Sequence, residues 1–217
     1  MISFEDVAIN LDLHGEYTLR VNVSFEQGDF VLVVGPNGSG KTSFLDLIAG
    51  VRVCATGMVK GIAPNQPVAY AVQEPHGSLL PWLSIISNIL LPSSLGSSVE
   101  SQESKARSLL DRFGILHRAD DFPYRLSGGE KQAINFIRTI CTPASIRLFD
   151  EVTASLHSSF KHVARDVIPM TNEKTITFFI SHDITDLVLP FNRFVAIKGG
   201  AVHDISNSDA EELMSHV

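Results

Sequence analysis

A glycine-rich segment carries the clearest chemistry in this sequence. Residues 35–42 read G-P-N-G-S-G-K-T, which matches the pattern G-x-x-x-x-G-K-[S/T] at every fixed position. Glycines let the backbone curl until its N–H groups point inward at a phosphate, and a helix that starts near Lys41 adds the positive end of its dipole. The Lys41 ammonium can then reach β- and γ-phosphates, and the Thr42 hydroxyl can ligate Mg²⁺.

The flanking pattern favours a phosphate-binding loop over the alternative, a glycine-rich turn with an exposed lysine. A buried strand is predicted before the motif and a helix after it, as such a loop requires. The residues expected to bind the phosphates are Gly35, Pro36, Asn37, Gly38, Ser39, Gly40, Lys41, Thr42 and Ser43.

Two adjacent carboxylates end a short apolar segment at residues 146–149. Beside a phosphate-binding loop, Asp150 is expected to hold Mg²⁺, through water, and Glu151 to polarise the attacking water as general base. The alternative is a strand end with two solvated acids.

Strands and helices must position these groups, and the hydrophobic pattern predicts where they lie. Residues 2–11 and 17–25 alternate as half-buried antiparallel strands do, whereas residues 30–34 form the continuous apolar run of a strand buried on both faces. Further strands are predicted at 68–73, 146–149, 175–180 and a last hairpin around Gly199 and Gly200, with helices at 41–49, 155–170 and 209–214. This succession of βαβ units predicts an α/β fold with a mainly parallel sheet.

A helical insert interrupts these units. Residues 79–139 contain few strand signals and many helix formers, and residues 104–113 place four apolar side chains at helical spacing. The serine-rich residues 93–104 are expected to form an exposed loop.

Composition narrows the function classes. The 217 residues carry 17 Lys and Arg against 24 Asp and Glu, a net charge of −7, so no nucleic-acid partner is expected. Hydrophobic residues make up 44% and charged residues 19%, which is typical of a folded globular chain. Because Cys54 and Cys141 are too few for a disulfide scaffold and no signal peptide or membrane span is predicted, we expect a cytoplasmic protein.

A further motif resembles the signature sequence of the ATP-binding-cassette (ABC) ATPases. Residues 126–132 read L-S-G-G-E-K-Q and precede Asp150 at the spacing of that family. Gln73, at a strand end, is similar to the family's Q-loop glutamine, and His182, after a strand, to its switch histidine. Either residue alone would be interpreted as an ordinary polar residue, but five motifs in the family's order span essentially the whole chain.

The resemblance implies a P-loop NTPase (RecA-like) core with a mainly parallel sheet, an N-terminal antiparallel β-subdomain and an inserted α-helical subdomain. Residues 1–217 then form one ABC ATPase domain, with the core at about 1–78 and 140–217 and the helical subdomain at about 79–139. ATP and Mg²⁺ are the implied cofactors, and ATP hydrolysis is the implied reaction.

The resemblance also implies roles for the remaining motif residues. Glu151 acts as the base, and His182 binds the γ-phosphate while holding Glu151 and the water in place. Gln73 touches the metal or the attacking water, so the expected metal-binding residues are Thr42, Gln73 and Asp150.

A sandwich dimer follows from the same resemblance, with each ATP between one subunit's phosphate-binding loop and the other subunit's signature. The serine hydroxyl and backbone N–H groups at the start of the signature helix suit a γ-phosphate. The expected contacts from this second ABC ATPase subunit, an identical copy in the simplest case, are Ser127, Gly128, Gly129 and Glu130.

The adenine contact is left between two residues. The family stacks an aromatic ring on the base from the loop between the first two strands, and here that loop holds both His14 and Tyr17. Tyr17 has a second interpretation, as a strand residue packed on the sheet.

The sequence departs from the family pattern in three places. Val152 stands where the family has proline, and His157 stands where it has the aspartate that helps link the two ATP sites. Residues 133–138 lack the family's arginine-rich opening, so slower hydrolysis is expected from an otherwise complete catalytic set.

The segment after Gln73 is similar to importer ATPases of the nitrate, sulfonate and taurine type. There, Leu79, Leu80, Trp82 and Leu83 are expected to contact a membrane permease, with a core tryptophan as the alternative. The expected function is the ATPase subunit of an ABC transporter that energises uptake of a small solute, lies on the inner face of the membrane and works with a solute-binding protein. The alternatives are an exporter or lipid-transport ATPase, a soluble non-transport ABC ATPase, and a cassette that does not hydrolyse ATP.

Overall fold

The computed structural model describes residues 1–12, 17–62, 66–73, 78–92, 99–154, 156–170 and 174–215. Its strands are β1 (Ile2–Asn10), β2 (Thr18–Phe25), β3 (Phe30–Val34), β4 (Thr56–Lys60), β5 (Val68–Ala71), β6 (Ile146–Asp150), β7 (Ile176–Ile180), β8 (Arg193–Lys198) and β9 (Ala201–Ile205). Its α-helices are α1 (Lys41–Ile48), α2 (Ile85–Leu90), α3 (Val99–Arg112), α4 (Gly128–Cys141), α5 (Ser158–Val167) and α6 (Asn207–Ser215).

Within the described ranges, nine strands form one sheet in the order β4-β1-β2-β9-β8-β3-β7-β6-β5. The strands β8, β3, β7, β6 and β5 pair in parallel, whereas β1 pairs antiparallel with both β2 and β4. The predicted fold class, a mainly parallel sheet with an N-terminal antiparallel part, is confirmed.

The central strands are buried on both faces, as their continuous apolar runs predict. In β3, Leu32 and Val34 pack into one hydrophobic cluster with the helices that follow β5, while Val31 and Val33 pack into a second cluster with α1, β1 and β2. Side chains of successive residues point to opposite faces of a strand, so the two clusters lie on the two sides of the sheet.

The helical insert is present, but its serine-rich part differs from the prediction. Helices α2, α3 and α4 lie between β5 and β6 in the chain, and α2 packs against both of the others. The expected loop at 93–104 is wrong from Val99 onward, where α3 begins; residues 93–98 lie outside the described residues. Ala106, Leu109 and Leu110 anchor this helix in the core, and tertiary burial of this kind overrides the weak helix propensity of serine.

Sequence analysis also missed β4, an edge strand whose residues are mostly exposed. It pairs with β1 around an irregularity between Glu5 and Ala8, where Asp6 has a φ of 49°. An edge strand exposed on both faces has no apolar alternation to reveal it. The predicted last hairpin and terminal helix are confirmed as β8–β9 and α6.

None of the helices in the described ranges has the length and apolar character needed to cross a bilayer.

Gly57, in β4, should tolerate replacement poorly. Its φ is 83°, and an added Cβ would lie 2.4 Å from the Asp6 carbonyl oxygen. Gly57→Ala should therefore lower the free energy of unfolding by ~1–2 kcal/mol for the left-handed backbone and by a further ~1–3 kcal/mol for the contact. Urea unfolding measures both.

Gly50→Ala is the matched control, because Gly50 has a φ of 72° and none of the described atoms lies within 4 Å of an added Cβ. Only the backbone cost should remain in that variant. Equal losses of stability in the two variants would contradict the role assigned to the close approach at Asp6.

Candidate functional site

The predicted phosphate-binding loop connects the end of β3 to the start of α1. All three of its glycines, Gly35, Gly38 and Gly40, have a positive φ, which favours glycine. At Gly35 an added Cβ would lie 2.4 Å from the Ile197 carbonyl oxygen, and Gly40 begins α1 with a φ of 101°, in the left-handed region. The loop therefore passes close to β8 and then turns directly into the helix, which leaves the first N–H groups of α1 directed at the loop.

Lys41, the first residue of α1, is buried beneath this loop. Its Nζ donates hydrogen bonds to the carbonyl oxygens of Gly35, at 2.8 Å, and Pro36, at 3.0 Å. Burial lowers the pKa of Lys41, and the carboxylates of Glu151 and Asp150 oppose that shift. The ammonium is therefore held at the loop by backbone oxygens and has two carboxylates nearby.

A cavity of about 430 Å³ opens beside the loop. It is lined by Leu11, Asn37, Gly38, Gly40, Lys41, Thr42, Ser43, Gln73 and Glu151. Six of these residues belong to the predicted loop, and the structure brings Gln73 and Glu151 to the same cavity. Leu11 was not predicted, because an aliphatic residue after a strand carries no sequence signal for a ligand.

The Thr42 hydroxyl and the Asp150 carboxylate, both predicted to bind Mg²⁺, contact each other. Thr42 Oγ1 donates to Asp150 Oδ2 at 2.8 Å. Asp150 is 1% exposed, and its Oδ1 has no hydrogen-bond partner within the described part of the chain. Burial raises the pKa of Asp150; the Thr42 hydrogen bond opposes the shift and the neighbouring Glu151 adds to it. A buried carboxylate oxygen without a partner, next to a hydroxyl, fits the oxygen ligands that Mg²⁺ prefers.

Tyr70 is an unpredicted neighbour of this pair. Its hydroxyl lies 3.3 Å from Asp46 Oδ1 and 3.5 Å from Asp150 Oδ2. Burial raises the pKa of Tyr70, and the two carboxylates raise it further, so the phenol keeps its proton and can donate a hydrogen bond to either carboxylate. Tyr70 lies on β5 and Asp46 on α1, and sequence separation hid their proximity.

Glu151 follows β6 directly and adopts an uncommon backbone conformation. Its φ is 49°, in the left-handed region, and its N–H donates to the Ile180 carbonyl oxygen at 3.1 Å. Gln73 Nε2 donates to Glu151 Oε2 at 2.8 Å, and His182 Nε2 lies 3.2 Å from Glu151 Oε1. The three residues with predicted catalytic roles therefore converge on one carboxylate. The structure places Gln73 against Glu151 rather than against Thr42 and Asp150.

The surroundings of His182 favour its neutral form. Burial lowers its pKa, the Lys41 charge lowers it further, and only Glu151 opposes them. The approach of Nε2 to Glu151 lacks hydrogen-bond geometry, so this buried nitrogen has no partner among the described residues. A neutral imidazole with a free N–H can donate to an anionic oxygen entering the cavity.

The predicted signature forms the N-terminus of α4. Ser127 Oγ accepts from the Glu130 N–H, and Glu130 Oε2 accepts from the Ser127 N–H at 2.8 Å, which together form a capping box. Burial acts to raise the pKa of Glu130, but hydrogen bonds from Ser127 and the charge of Arg118 hold it below its ordinary value. Of the described residues lining the cavity, none belongs to 127–130, so the structure does not bring the signature to its own phosphate-binding loop.

Of the two candidates for the adenine contact, only Tyr17 lies within the described residues. Its side chain is 69% exposed and precedes β2, so the interpretation as a packed strand residue is wrong. The Tyr17 carbonyl oxygen accepts from the Leu11 N–H at 2.7 Å, which places the tyrosine beside a residue of the cavity wall. His14 lies outside the described residues.

Trp82 is exposed because the buried Asn88 fixes the turn on which it lies. Asn88 Oδ1 accepts from the Leu80 N–H at 2.7 Å, and Asn88 Nδ2 donates to the carbonyl oxygens of Leu80 and Leu83. The turn between them leaves Trp82 70% exposed and Leu80 and Leu83 half-buried. Leu79 packs into the core instead, which corrects its expected place on the exposed surface.

The residues that depart from the family pattern lie in different environments. Val152 is fully buried in the hydrophobic core, where its apolar side chain packs against other apolar residues. His157 is exposed, and its Nδ1 lies 3.0 Å from Ser159 Oγ. Arg138 donates to the Ser78 carbonyl oxygen and to Asn135 Oδ1, so this arginine supports the segment after Gln73.

Comparison with known sequences gives the same assignment. The family model described as ABC transporter matches residues 19–154. The lipoprotein-releasing system ATP-binding protein LolD of Saccharophagus degradans is 28% identical over 200 residues, which cover 84% of this chain and 86% of that protein. The aliphatic sulfonates import ATP-binding protein SsuB 1 of Paraburkholderia xenovorans is 30% identical over 184 residues, covering 83% of this chain and 53% of that protein.

Comparison with solved structures concerns the fold. A dimeric ATP-binding cassette in a post-hydrolysis state, bound to ADP and Pi, superposes with a TM-score of 0.79 at 22% identity. The superposition covers 95% of this chain and 98% of that one. The arrangement of sheet and helices is therefore that of an ATP-binding cassette.

The pKa of His182 tests the electrostatics of the site. It should lie below the ordinary histidine value, because burial and Lys41 both disfavour the charged ring. Glu151→Gln should lower it further by removing the one opposing charge, and Lys41→Ala should raise it. Proton NMR titration of the histidine ring signals, assigned with His182→Gln, measures all three values. Shifts of the same sign in the two variants would contradict this account.

Proposed function

Because the chain belongs to the ABC transporter family of ATP-binding proteins, we propose that it energises uptake of a small solute through a separate membrane permease. It is an ATP-binding and ATP-hydrolysing subunit, as the resemblance predicted. The observation that carries the mechanism is the convergence of Gln73, Glu151 and His182 beside a cavity floored by Lys41.

In this mechanism the phosphate-binding loop holds the β- and γ-phosphates. Backbone N–H groups of residues 35–43 and the Lys41 ammonium supply the positive charge. Thr42 and Asp150 would hold Mg²⁺, which would neutralise charge on the phosphate oxygens. The Gln73 amide would complete this site once it moves from Glu151 toward the metal or the attacking water.

Glu151 would take a proton from the attacking water. Its carboxylate lines the cavity, where Gln73 donates to one of its oxygens and His182 Nε2 lies 3.2 Å from the other. The neutral His182 would donate to the γ-phosphate, where negative charge persists through the reaction. Glu151 would thus become neutral as it takes the proton, while Gln73 and His182 would keep their charge states and change only their hydrogen-bond partners.

A second copy of the chain would complete the site. The N-terminus of α4 offers backbone N–H groups at Gly128 and Gly129 and a serine hydroxyl, and these donors suit a phosphate. Because they are absent from the described wall of their own cavity, they would contact ATP bound by the partner. ATP would then hold the dimer together, and hydrolysis would release it.

Trp82 would anchor the membrane partner. Together with the half-buried Leu80 and Leu83, it presents an apolar surface on the segment that joins Gln73 to α2. This segment supports import, because it is the part similar to importer ATPases, and a sulfonate-import relative agrees. The protein would then lie on the inner face of the membrane, beside its permease and a solute-binding protein.

A lipoprotein-releasing function is the second candidate. It is favoured by the relative LolD, 86% of whose length is covered by the alignment. The two candidates predict different partners, so purification of the tagged chain from membranes with mass identification of bound proteins separates them. A solute-binding protein with a permease supports uptake, whereas a lipoprotein bound to the permease supports release and would overturn uptake.

Glu151→Gln should retain ATP binding and stop hydrolysis. The amide keeps the shape of the side chain but cannot accept the proton, and loss of a general base costs roughly 10²–10⁴-fold in rate. ATP should convert this variant to a stable dimer, measured by size-exclusion chromatography alongside phosphate release. Lys41→Ala is the control, since it should lose ATP binding as well. Normal turnover by Glu151→Gln would exclude Glu151 as the base.

Trp82→Ala should leave the isolated subunit folded while weakening its association with the permease. A buried aromatic anchor commonly contributes ~2 kcal/mol or more to an interface, whereas truncation of a side chain already 70% exposed has little effect on folding. Thermal melting and co-purification from membranes measure the two effects.

Met58→Ala and Leu79→Ala are the controls for Trp82→Ala. Met58 is also exposed, at 56%, but lies on the edge strand β4, so its loss should change neither stability nor association. Leu79 lies in the core, and its truncation should cost ~2–5 kcal/mol of stability. Permease binding by Trp82→Ala at the wild-type level would remove Trp82 from the interface.

A further inference from the structure

A fully buried carboxylate lies just behind the predicted catalytic residues. Asp186 is 0% exposed and follows β7 in a short 3-10 helix, Ile184–Val188. Its Oδ1 accepts from Arg165 Nε at 2.7 Å. Its Oδ2 accepts from two hydroxyls, Thr153 Oγ1 at 2.7 Å and Ser181 Oγ at 2.6 Å. Both oxygens are therefore satisfied, and each bond has the short length of a charge-assisted hydrogen bond.

The two hydroxyls belong to the two segments that carry the chemistry. Thr153 comes two residues after Glu151, and Ser181 directly precedes His182. Both are buried, at 1% and 2% exposure, so neither hydroxyl has water as an alternative partner. One carboxylate oxygen thus joins the chain leaving β6 to the chain leaving β7.

Arg165 fixes this carboxylate from the other side. It lies on α5, and its guanidinium also contacts Asp183, which in turn pairs with Lys161 at 3.3 Å. Two carboxylates therefore meet two cations, and the buried charge of Asp186 is compensated. A paired buried carboxylate with every oxygen bonded has little freedom to move.

The proposed mechanism depends on a short distance between the side chains of Glu151 and His182. Glu151 Oε1 lies 3.2 Å from His182 Nε2. This approach of two side chains does not by itself fix the backbones of the two residues relative to each other. Glu151 also has a left-handed φ of 49°, which costs energy and persists only when neighbouring contacts hold it. Ladder hydrogen bonds align β6 with β7 as far as Asp150 and Ile180, and the Glu151 N–H adds one bond to the Ile180 carbonyl oxygen. Beyond these bonds, Asp186 joins the two segments through Thr153 and Ser181.

We propose that Asp186 is a positioning residue which, through Thr153 and Ser181, sets the distance between Glu151 and His182. This inference rests on the proposed ATPase mechanism and adds a residue to it. Asp186 touches neither ATP nor water in this role. Because a displacement near 1 Å can cost about 10²-fold in rate, loosening the Asp186 contacts should slow hydrolysis without weakening ATP binding.

Thr153→Val tests the proposal, because it removes the hydroxyl and keeps the shape of the side chain. The kcat for ATP hydrolysis by the full chain should fall by roughly 10-fold or more, while KM for ATP changes by less than about 2-fold. Thr153→Ser, which restores the hydroxyl, should recover most of the rate. Amide hydrogen exchange should quicken at residues 151–154 and 181–184 in Thr153→Val only.

Thr139→Val is the matched control. Thr139 is 3% exposed and donates to the Asn135 carbonyl oxygen within α4, so its loss removes a buried hydroxyl of the same kind away from the carboxylate. A kcat for Thr153→Val equal to that of Thr139→Val would overturn the proposal. If Thr153→Val does not fold, Ser181→Ala interrupts the same carboxylate from β7 and carries the same expectations.

The outcome is separable from that of the proposed function. A wild-type chain that fails to hydrolyse ATP would remove the ATPase mechanism, and hydrogen exchange would still report whether Asp186 constrains both segments. Exchange that stays at the wild-type level in both loops of Thr153→Val would overturn the positioning role even if the ATPase mechanism stands.

Discussion

Parallel pairing of β3, β7 and β6 imposes the geometry of the whole site. The register matches Leu32 with Phe179 and Phe179 with Phe149, so the three strands end level with one another. Whatever follows each strand must then meet at one edge of the sheet, as the phosphate-binding loop, His182 and Glu151 do. The two apolar clusters on either face hold this pairing rigid, and rigidity allows a catalytic set to be built from loop residues.

The polar groups at this edge of the sheet are removed from water, so their pKa values shift in the direction that favours the neutral form of each group. Burial lowers the pKa of Lys41 and His182 and raises that of Asp150, and in each case desolvation is the largest cause. A phosphate beside Lys41 and a divalent cation beside Asp150 would each restore the favoured charge. The site is therefore less stable without its ligands than with them, which favours tight binding of a charged nucleotide.

Helix α4 connects the signature to the segment that carries Trp82. Near its start, Gln132 donates to the Gln73 carbonyl oxygen, and one turn later Asn135 donates to the Val72 carbonyl oxygen. Arg138 then holds the Ser78 carbonyl oxygen on the far side of the same segment. A shift of α4 against a bound phosphate would thus move both ends of the chain between β5 and α2. These polar contacts explain why α4 buries two amides among its apolar side chains.

Local pattern alone was enough for the phosphate-binding loop, the paired carboxylates and the buried strands, because each depends on residues a few positions apart. It was not enough for β4, which has no apolar periodicity, or for the start of α3, where core burial outweighs serine content. Tyr70 and Asp186 escaped notice for a different reason. Their partners are far away in sequence, and a hydroxyl or a carboxylate acquires a role only when folding removes water and leaves it one set of neighbours.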